Sequence, residues 1–250
     1  MVVLIQWAIF SLIFTVFFIC IRLIPTMSLA MLAYSGDATG WLYSIIGLIF
    51  GIFAAFTIQS QAKKWDELSS AIRQEINSLR RLFWLSYHLP TIQAKKLREH
   101  IRTYLDLIVH EGWENIDTGH SSPNLELAAR SLQEEAFLLL ENNSIYSSTA
   151  VDLVHNVFKS REERMFQSAK RTATLLKSTI YVGAFMIFSL SFFIAVKNIW
   201  IDYIFVWSVT FLVTLIVMVI EDLEHPYRPG HWHITQDAYQ ALIKEVKSLS

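Results

Sequence analysis

The hydrophobic pattern divides the chain into two apolar pairs separated by a long polar middle. Four segments carry almost no charge over close to twenty residues each: 2–21, 41–58, 178–196 and 199–220. An α-helix rises 1.5 Å per residue, so about twenty residues cross a hydrocarbon core of about 30 Å. A soluble domain of 250 residues would lack the polar surface to cover four such helices. The pattern predicts an all-α membrane protein with four transmembrane helices, two plus two, around a helical domain.

The same pattern sets the expected domain boundaries. Residues 1–59 should hold transmembrane helices 1 and 2, and residues 178–220 should hold helices 3 and 4. Residues 60–177 should form a helical cytoplasmic domain, and residues 221–250 a cytoplasmic tail. Composition agrees with this class, because 17% of the residues are charged whereas soluble domains average about 25%.

Lysine and arginine near the segment ends predict the orientation. They flank the polar middle on both sides, whereas the connectors at residues 25–40 and 197–200 are poor in them. The flanking basic residues are Lys63, Lys64, Arg73, Arg80, Arg81, Lys159, Arg161, Arg164, Lys170, Arg171 and Lys177. Because such residues favour the cytoplasmic side of a bilayer, we expect the middle and both termini in the cytoplasm. Asp202 should then mark the outer interface.

Apolar residues recur every three or four positions through the polar middle, which predicts helices and no strands. One stripe runs from Trp65 to Phe83, and Pro90 should separate its helix from the next. A further helix is expected over residues 124–142. Another should start near Ser147 and run unbroken into the third membrane segment. One protomer cannot easily bury all these stripes, so we expect protomers to associate.

Sequence motifs of enzymes are missing from the chain. It has no glycine-rich phosphate loop, no CxxC pair, no HExxH and no G-x-S-x-G. Segments 2 to 4 carry no Lys, Arg, His or Glu at mid-depth, which argues against ion-coupled pumping. A metal-dependent tail built on His225, His231 and His233 is the weakest alternative. We therefore expect no enzymatic activity, no cofactor, no bound metal and no nucleic-acid partner.

Glycines set the second membrane segment apart. Gly47 and Gly51 form a small-xxx-small pair, which allows two helices to approach closely. Ile49, Phe53 and Phe56 share a neighbouring face. In one interpretation the glycines pack the helix bundle and the aromatic rings face lipid. In the other, copies of this helix surround an axis, and the three large side chains form an apolar constriction that gates ions by dewetting.

Three stretches of the chain resemble the bestrophin-like membrane proteins of bacteria. The first runs from Glu75 to Tyr104, and the second is the basic run 161–171 that leads into the third segment. The tail after the fourth segment is the most specific, and it is similar to the family's Asp-x-x-x-Pro-Phe-x-Gly pattern. Its residues here are Asp222, Glu224, Pro226, Tyr227, Gly230 and Trp232. Tyr227 stands where the family usually has phenylalanine, and two residues instead of one precede Gly230.

The resemblance implies a function. Bestrophins are pentameric channels, mostly for anions, whose second helix lines an apolar neck. It therefore implies a homopentamer in the lipid bilayer of the bacterial inner membrane, with inorganic ions passing Ile49, Phe53 and Phe56. In some bestrophins the acidic tail segment helps to bind calcium, which corresponds loosely to Asp222 and Glu224. The alternative is a non-conducting scaffold or sensor whose cytoplasmic helices bind a partner.

The tail should also have a structural role. We expect residues 222–234 to dock against the cytoplasmic helices. Tyr227 and Trp232 are large apolar anchors. Pro226 and Pro229 favour an extended path between them.

Overall fold

The computed structural model describes residues 2–23, 37–113, 121–141, 146–194 and 198–249. Every regular element in this part of the chain is a helix. The prediction of helices without strands is therefore confirmed for the described residues. Most of the predicted connector 25–40 lies outside them, as does Lys197 of the other connector.

Eight α-helices are found in the described residues and are numbered here in chain order. They are α1 Val2–Leu23, α2 Asp37–Leu85, α3 Thr91–Leu107, α4 Pro123–Glu141, α5 Ser147–Ala169, α6 Thr174–Ser191, α7 Ile199–Glu224 and α8 Asp237–Ser248. A 3-10 turn, Ser86–His88, precedes α3, and a π turn, Ile108–Gly112, follows it. Pro90 is the N-cap of α3, as its lack of an N–H favours.

The chain forms two compact units, each made of stretches that are distant in sequence. The apolar unit comprises Met1–Ser60 and Thr172–Glu221. The polar unit comprises Gln61–Arg171 and Asp222–Ser250. Both units contain part of α2, which is one continuous helix of 49 residues. The tail belongs to the polar unit.

Three of the described helices are long and apolar enough to cross a membrane: Gly40–His88, which continues α2 through the 3-10 turn, Thr174–Ser191 and Ile199–Glu224. Within α1, the described apolar stretch is the shorter one from Ser11 to Ile21. Length and composition thus support three spans directly, and the fourth predicted span would be α1.

The core of the polar unit is built from the predicted stripe of α2. Leu68, Leu79 and Phe83 have no exposed surface, and Ile72 and Ile76 are at most 5% exposed. Apolar side chains of α3, α4, α5 and α8 complete the same cluster. Burial of one continuous apolar stripe against four helices is the main force that assembles this unit.

The expectation of an unbroken helix from Ser147 into the third span is wrong. Helix α5 ends at Ala169, and the backbone is extended at Lys170 and Ala173 before α6 begins. The Nζ of Lys64 donates to the carbonyl of Lys170 at 2.5 Å. A positive charge therefore lies at the C-terminal end of α5, where the helix dipole favours it. Residues 170–173 contain no proline or glycine, so the sequence carries no breaker signal there.

Candidate functional site

Within the apolar unit, α2 presents one narrow buried stripe and a wide exposed face. Phe50 and Ala54 are at most 6% exposed and pack in a cluster with Ile180, Ile187 and Ile220 of α6 and α7. The predicted constriction residues lie outside this stripe. Their exposed fractions are 50% for Ile49, 43% for Phe53 and 66% for Phe56.

The two glycines of the small-xxx-small pair face open space among the described residues. A Cβ added at Gly47 or at Gly51 would meet no heavy atom of the described residues within 4 Å. The close approach occurs instead on α6, where a Cβ at Gly183 would lie 2.8 Å from Cδ2 of Phe50. The sequence interpretation overlooked Gly183, which has no second glycine four residues away.

A lateral groove of about 400 Å³ runs between α2 and α6. Its lining brings together two of the predicted constriction residues, Ile49 and Phe53, with Val182 and Met186, while Phe56 does not line it. Two hydroxyl groups at its end, those of Ser178 and Thr179, both donate to the carbonyl of Leu175. The groove therefore presents an almost wholly apolar surface.

Helix α1 packs against the ends of α6 and α7 that lie next to their connector. Phe14 and Phe18 are at most 4% exposed and form a cluster with Phe192 and Val206. The hydroxyl groups of Thr15 and Tyr203 are 2.8 Å apart. Asp202, expected to mark the outer interface, is only 3% exposed. This end of the unit is thus held by aromatic packing and by polar groups withdrawn from solvent.

The two lysines that follow the second span have different surroundings. Lys64 is 5% exposed, and its ammonium group donates to the carbonyl of Lys170 at the end of α5. The Lys63 side chain is 77% exposed, and its Nζ lies 3.7 Å from Glu67. Only Lys63 of this pair offers its charge to solvent.

The tail motif closes a compact loop. The Oδ2 atom of Asp222 accepts the backbone N–H groups of His231 at 2.9 Å and Trp232 at 3.2 Å. A Cβ at Gly230 would lie 1.7 Å from Oδ1 of Asp222, so only glycine fits the loop at that point. The N–H of Ile234 donates to the carbonyl of Pro226 at 2.7 Å. The predicted extended path is therefore wrong, because the chain turns back on itself.

Docking of the tail against the helices of the polar unit is confirmed. The hydroxyl groups of Tyr227 and Ser168 are 2.6 Å apart, and Tyr227 packs edge-on against Trp113. The indole N–H of Trp65 donates to the carbonyl of Trp232 at 3.1 Å, and the two rings meet edge to face. Pro226 and Glu224 are buried. The calcium role that the resemblance loosely implies for Asp222 and Glu224 stays a prediction.

A buried ion pair lies at the centre of the polar unit and was not predicted. Nε of Arg164 donates to Oε2 of Glu75 at 2.8 Å. The hydroxyl groups of Tyr104 and Tyr239 donate to the same carboxylate at 2.7 and 2.9 Å. The four residues come from α2, α3, α5 and α8, so one carboxylate ties four helices together.

The charges in this cluster reinforce its hydrogen bonding. Burial raises the pKa values of Tyr104 and Tyr239, and the nearby Glu75 carboxylate raises them further. Both phenols therefore stay protonated and act as donors. Burial is the largest influence on Arg164 and disfavours its charge, but Glu75, Tyr239 and Tyr104 together outweigh it, so the guanidinium pKa is raised.

Comparisons with known proteins identify the family. The sequence model of the Bestrophin-like domain matches residues 8–239. This chain belongs to the Bestrophin-like family. A comparison with curated proteins gives no match.

The fold of this bestrophin-like protein is also that of solved relatives. A point mutant of a bacterial bestrophin homologue from Klebsiella pneumoniae is 12% identical, with a TM-score of 0.78 over 96% of this chain and 98% of that one. A second mutant of that homologue is 14% identical, with a TM-score of 0.76 over the same shares. A variant described as a membrane protein is 11% identical, with a TM-score of 0.70 over 83% of this chain and 86% of that one. These likenesses show the fold of a helical membrane protein.

Proposed function

We propose that this bestrophin-like protein is the subunit of a homopentameric ion channel in the bacterial inner membrane, with α2 nearest the axis. The observation that carries the proposal is the exposed face of α2. Ile49, Phe53 and Phe56 are each at least 43% exposed there, beside two glycines that touch no described neighbour. In a ring of protomers the glycines would let helices approach closely, and the large side chains would narrow an apolar passage.

Membership of the family supports this assignment, because the bestrophins are known as ion channels. The apolar face has no charged side chain between Ile49 and Phe56, so the helix offers ions a dewetting barrier instead of a binding site. Lys63, exposed just beyond the span, would favour anions entering from its side, an effect that salt should screen.

The proposed topology has four spans, with the polar unit and both termini in the cytoplasm. Helix α1 has 22 residues, which gives a length of about 33 Å. Phe18 in the second half of α1 contacts Phe192 and Tyr203, which lie on either side of the α6–α7 connector. These contacts support an alternating order of spans. The excess of lysine and arginine around the polar middle supports this orientation.

Cysteine labelling in intact cells tests the topology. In a Cys20→Ser background, Asn198→Cys should react with a membrane-impermeant thiol reagent, and Glu99→Cys should react only after the cells are opened. Both positions are polar in the natural chain, and Glu99 is exposed on α3. Labelling of Glu99→Cys in intact cells would show that the proposed orientation is wrong.

Planar-bilayer recording of the purified protein tests conduction. Phe53→Ala should increase conductance or open probability, because a smaller side chain lowers the cost of wetting the constriction. Phe185→Ala is the matched control, since it removes an equally large ring from a position on α6 that is 70% exposed. It should change neither quantity.

Anion selectivity and subunit number need measurements of their own. A tenfold chloride gradient should shift the reversal potential in the direction expected for anions. The mass of the detergent-solubilised oligomer should be five times that of the 28.9 kDa chain. If intact oligomers of the parent and of Phe53→Ala both stay silent, the non-conducting scaffold becomes the better explanation.

A further inference from the structure

The polar unit joins the apolar unit at three points along the chain. These are Ser60–Gln61 within α2, Arg171–Thr172 before α6, and Glu221–Asp222 at the end of α7. The second and third junctions lie beside ends of the candidate spans Thr174–Ser191 and Ile199–Glu224. The first follows the uncharged stretch 41–58 of the long helix that begins the candidate span Gly40–His88. Residues of the polar unit that are next to these junctions must therefore lie near the level of the lipid headgroups.

Side-chain contacts bring the residues at these junctions together in the polar unit. Lys64 of α2 reaches the carbonyl of Lys170, just after α5. Trp65, the next residue of α2, packs against Trp232 of the tail. Six exposed residues around these contacts form a surface that we name the collar. They are Lys63, Phe166, Lys170, Arg171, Arg228 and Trp232.

The chemistry of the collar is basic and aromatic. Four of its six side chains carry a positive charge, and Phe166 and Trp232 are 62% and 42% exposed. The Nζ of Lys170 lies 6.0 Å from the ring of Phe166, so cation and ring are adjacent. Aromatic rings next to lysine and arginine are typical of protein surfaces at the boundary between headgroups and acyl chains.

Four acidic groups beside the collar are withdrawn from solvent or engaged by other residues, whereas Asp66 and Glu162 are exposed. The Asp222 carboxylate accepts two backbone N–H groups inside the tail loop, and Glu224 is only 5% exposed. Glu67 lies 3.7 Å from Lys63 and accepts the side-chain N–H of Gln167. Glu163 accepts a hydrogen bond from the same amide. The six collar residues themselves carry four positive charges and no negative charge.

We propose that the collar is a binding surface for anionic phospholipids, with phosphate groups held by Lys170, Arg171 and Arg228. Phe166 and Trp232 enter the boundary of the acyl chains beside them. The charge of the lipid phosphate complements that of the collar, and the three junctions place the collar at the depth where phosphates lie. The proposal requires insertion in a membrane but not conduction, so it stands or falls separately from the channel function.

Lipid preference of the full-length protein tests the charges. The oligomer in mild detergent is titrated with phosphatidylglycerol and, separately, with phosphatidylcholine, and retained lipid is counted by native mass spectrometry. A lysine or arginine near an anionic surface adds about fivefold to binding. The triple variant Lys170→Gln, Arg171→Gln, Arg228→Gln should therefore lose between about tenfold and about a hundredfold of the preference for phosphatidylglycerol.

A second triple variant controls for net charge. Lys95→Gln, Lys96→Gln, Lys244→Gln removes the same charge from exposed positions on α3 and α8. It should keep the preference of the parent. An equal loss in both triples, or no loss in the collar triple, overturns the proposal. Competition by millimolar inorganic phosphate as effective as that of the lipid would also overturn it, since the surface would then bind free phosphate.

Depth in the bilayer tests the aromatic residues. In the Cys20→Ser background, a fluorophore on Phe166→Cys should be quenched by lipids that carry a spin label at the headgroup. The control is Ile92→Cys, an apolar position that is 75% exposed at the start of α3. It should be quenched several-fold less. Equal quenching at the two positions would mean that the collar does not lie in the headgroup layer.

Discussion

In the polar unit Leu68, Leu79 and Tyr104 have no exposed surface, whereas in the apolar unit Leu48, Phe56 and Phe185 are each at least 66% exposed. The first set shows a core that one chain completes. The second set shows apolar side chains whose neighbours must come from outside the chain, either lipid or other protomers. One continuous helix, α2, contributes residues to both units. The same secondary structure therefore gives a self-contained core in one unit and an open surface in the other.

The polar groups differ between the units in the same sense. In the polar unit, Glu75 and Arg164 are fully buried and are satisfied by each other and by two phenols. Among the described residues of the apolar unit, most hydroxyl groups bond to a carbonyl one turn back on their own helix, as Thr57 does to Phe53 and Thr210 does to Val206. In the polar unit, hydrogen bonds between helices thus help to determine which helices pack together. In the apolar unit, the fit of side chains against one another has the larger part.

The largest expected effect comes from breaking the buried ion pair. Glu75→Ala would leave the guanidinium of Arg164 buried without its partner and remove the acceptor of Tyr104 and Tyr239. The loss should be about 3–5 kcal/mol in the free energy of unfolding. A thermal melt of the full-length protein in detergent, followed by circular dichroism, should show a Tm lower by about 10 °C.

An exposed carboxylate on a neighbouring helix is the control for this change. Glu99→Ala on α3 removes the same charge from the surface and should shift stability by less than about 0.5 kcal/mol. If Glu75→Ala were as mild as this control, the apolar core alone would hold the four helices together.

The next largest effect should come from the close approach of α2 and α6 within the apolar unit. Gly183→Leu would drive a side chain into Phe50, since even a Cβ lies 2.8 Å from the ring. Overpacking of this kind costs about 1–3 kcal/mol. The measurement is the thermal melt of the solubilised protein, and the double variant with Phe50→Leu should recover part of the loss. No loss in Gly183→Leu would show that α2 and α6 can separate freely.

Periodicity was sufficient to predict most of the helical architecture. The stripe from Leu68 to Phe83 is the core of the polar unit, and the helix expected over 124–142 is observed as Pro123–Glu141. These predictions succeed because spacing within one helix fixes which residues share a face. Docking of the tail was also predicted, since Tyr227 and Trp232 are too large and apolar to be left in solvent without a packing partner.

Features that depend on contacts between distant residues could not be predicted from the sequence. Glu75, Tyr104, Arg164 and Tyr239 are spread over four helices, and each alone looks like an ordinary polar residue on a helix. The carbonyl group at the break after α5 accepts a hydrogen bond from Lys64, more than a hundred residues earlier in the chain. Gly183 gives no local signal because its partner, Phe50, lies on another helix. The neck residues Ile49, Phe53 and Phe56 stay a prediction that conduction measurements must decide.

A smaller effect is expected at the tail loop. Gly230→Ala would place a methyl group 1.7 Å from Oδ1 of Asp222, so the loop must open and lose the N–H donors of His231 and Trp232. The cost should be about 1–2 kcal/mol, because partly exposed hydrogen bonds are lost and the backbone can move. Gly40→Ala, where a Cβ meets no described atom within 4 Å, is the control in the same melt. Equal Tm values for the two variants would show that the tail loop does not stabilise the fold.

The smallest effect on the stability of the single chain should be that of Gly51→Leu, which is the counterpart of Gly183→Leu in the same unit. A Cβ at Gly51 meets no described atom within 4 Å, so the new side chain should change the unfolding free energy by less than about 0.5 kcal/mol. The substitution should instead weaken the association of protomers, because the new side chain would separate helices that approach through the glycine face. Size-exclusion chromatography with light scattering should therefore show a smaller oligomer fraction for Gly51→Leu at an unchanged Tm. If Gly51→Leu leaves the oligomer intact, this face of α2 meets lipid and the axis must lie on another side of the helix.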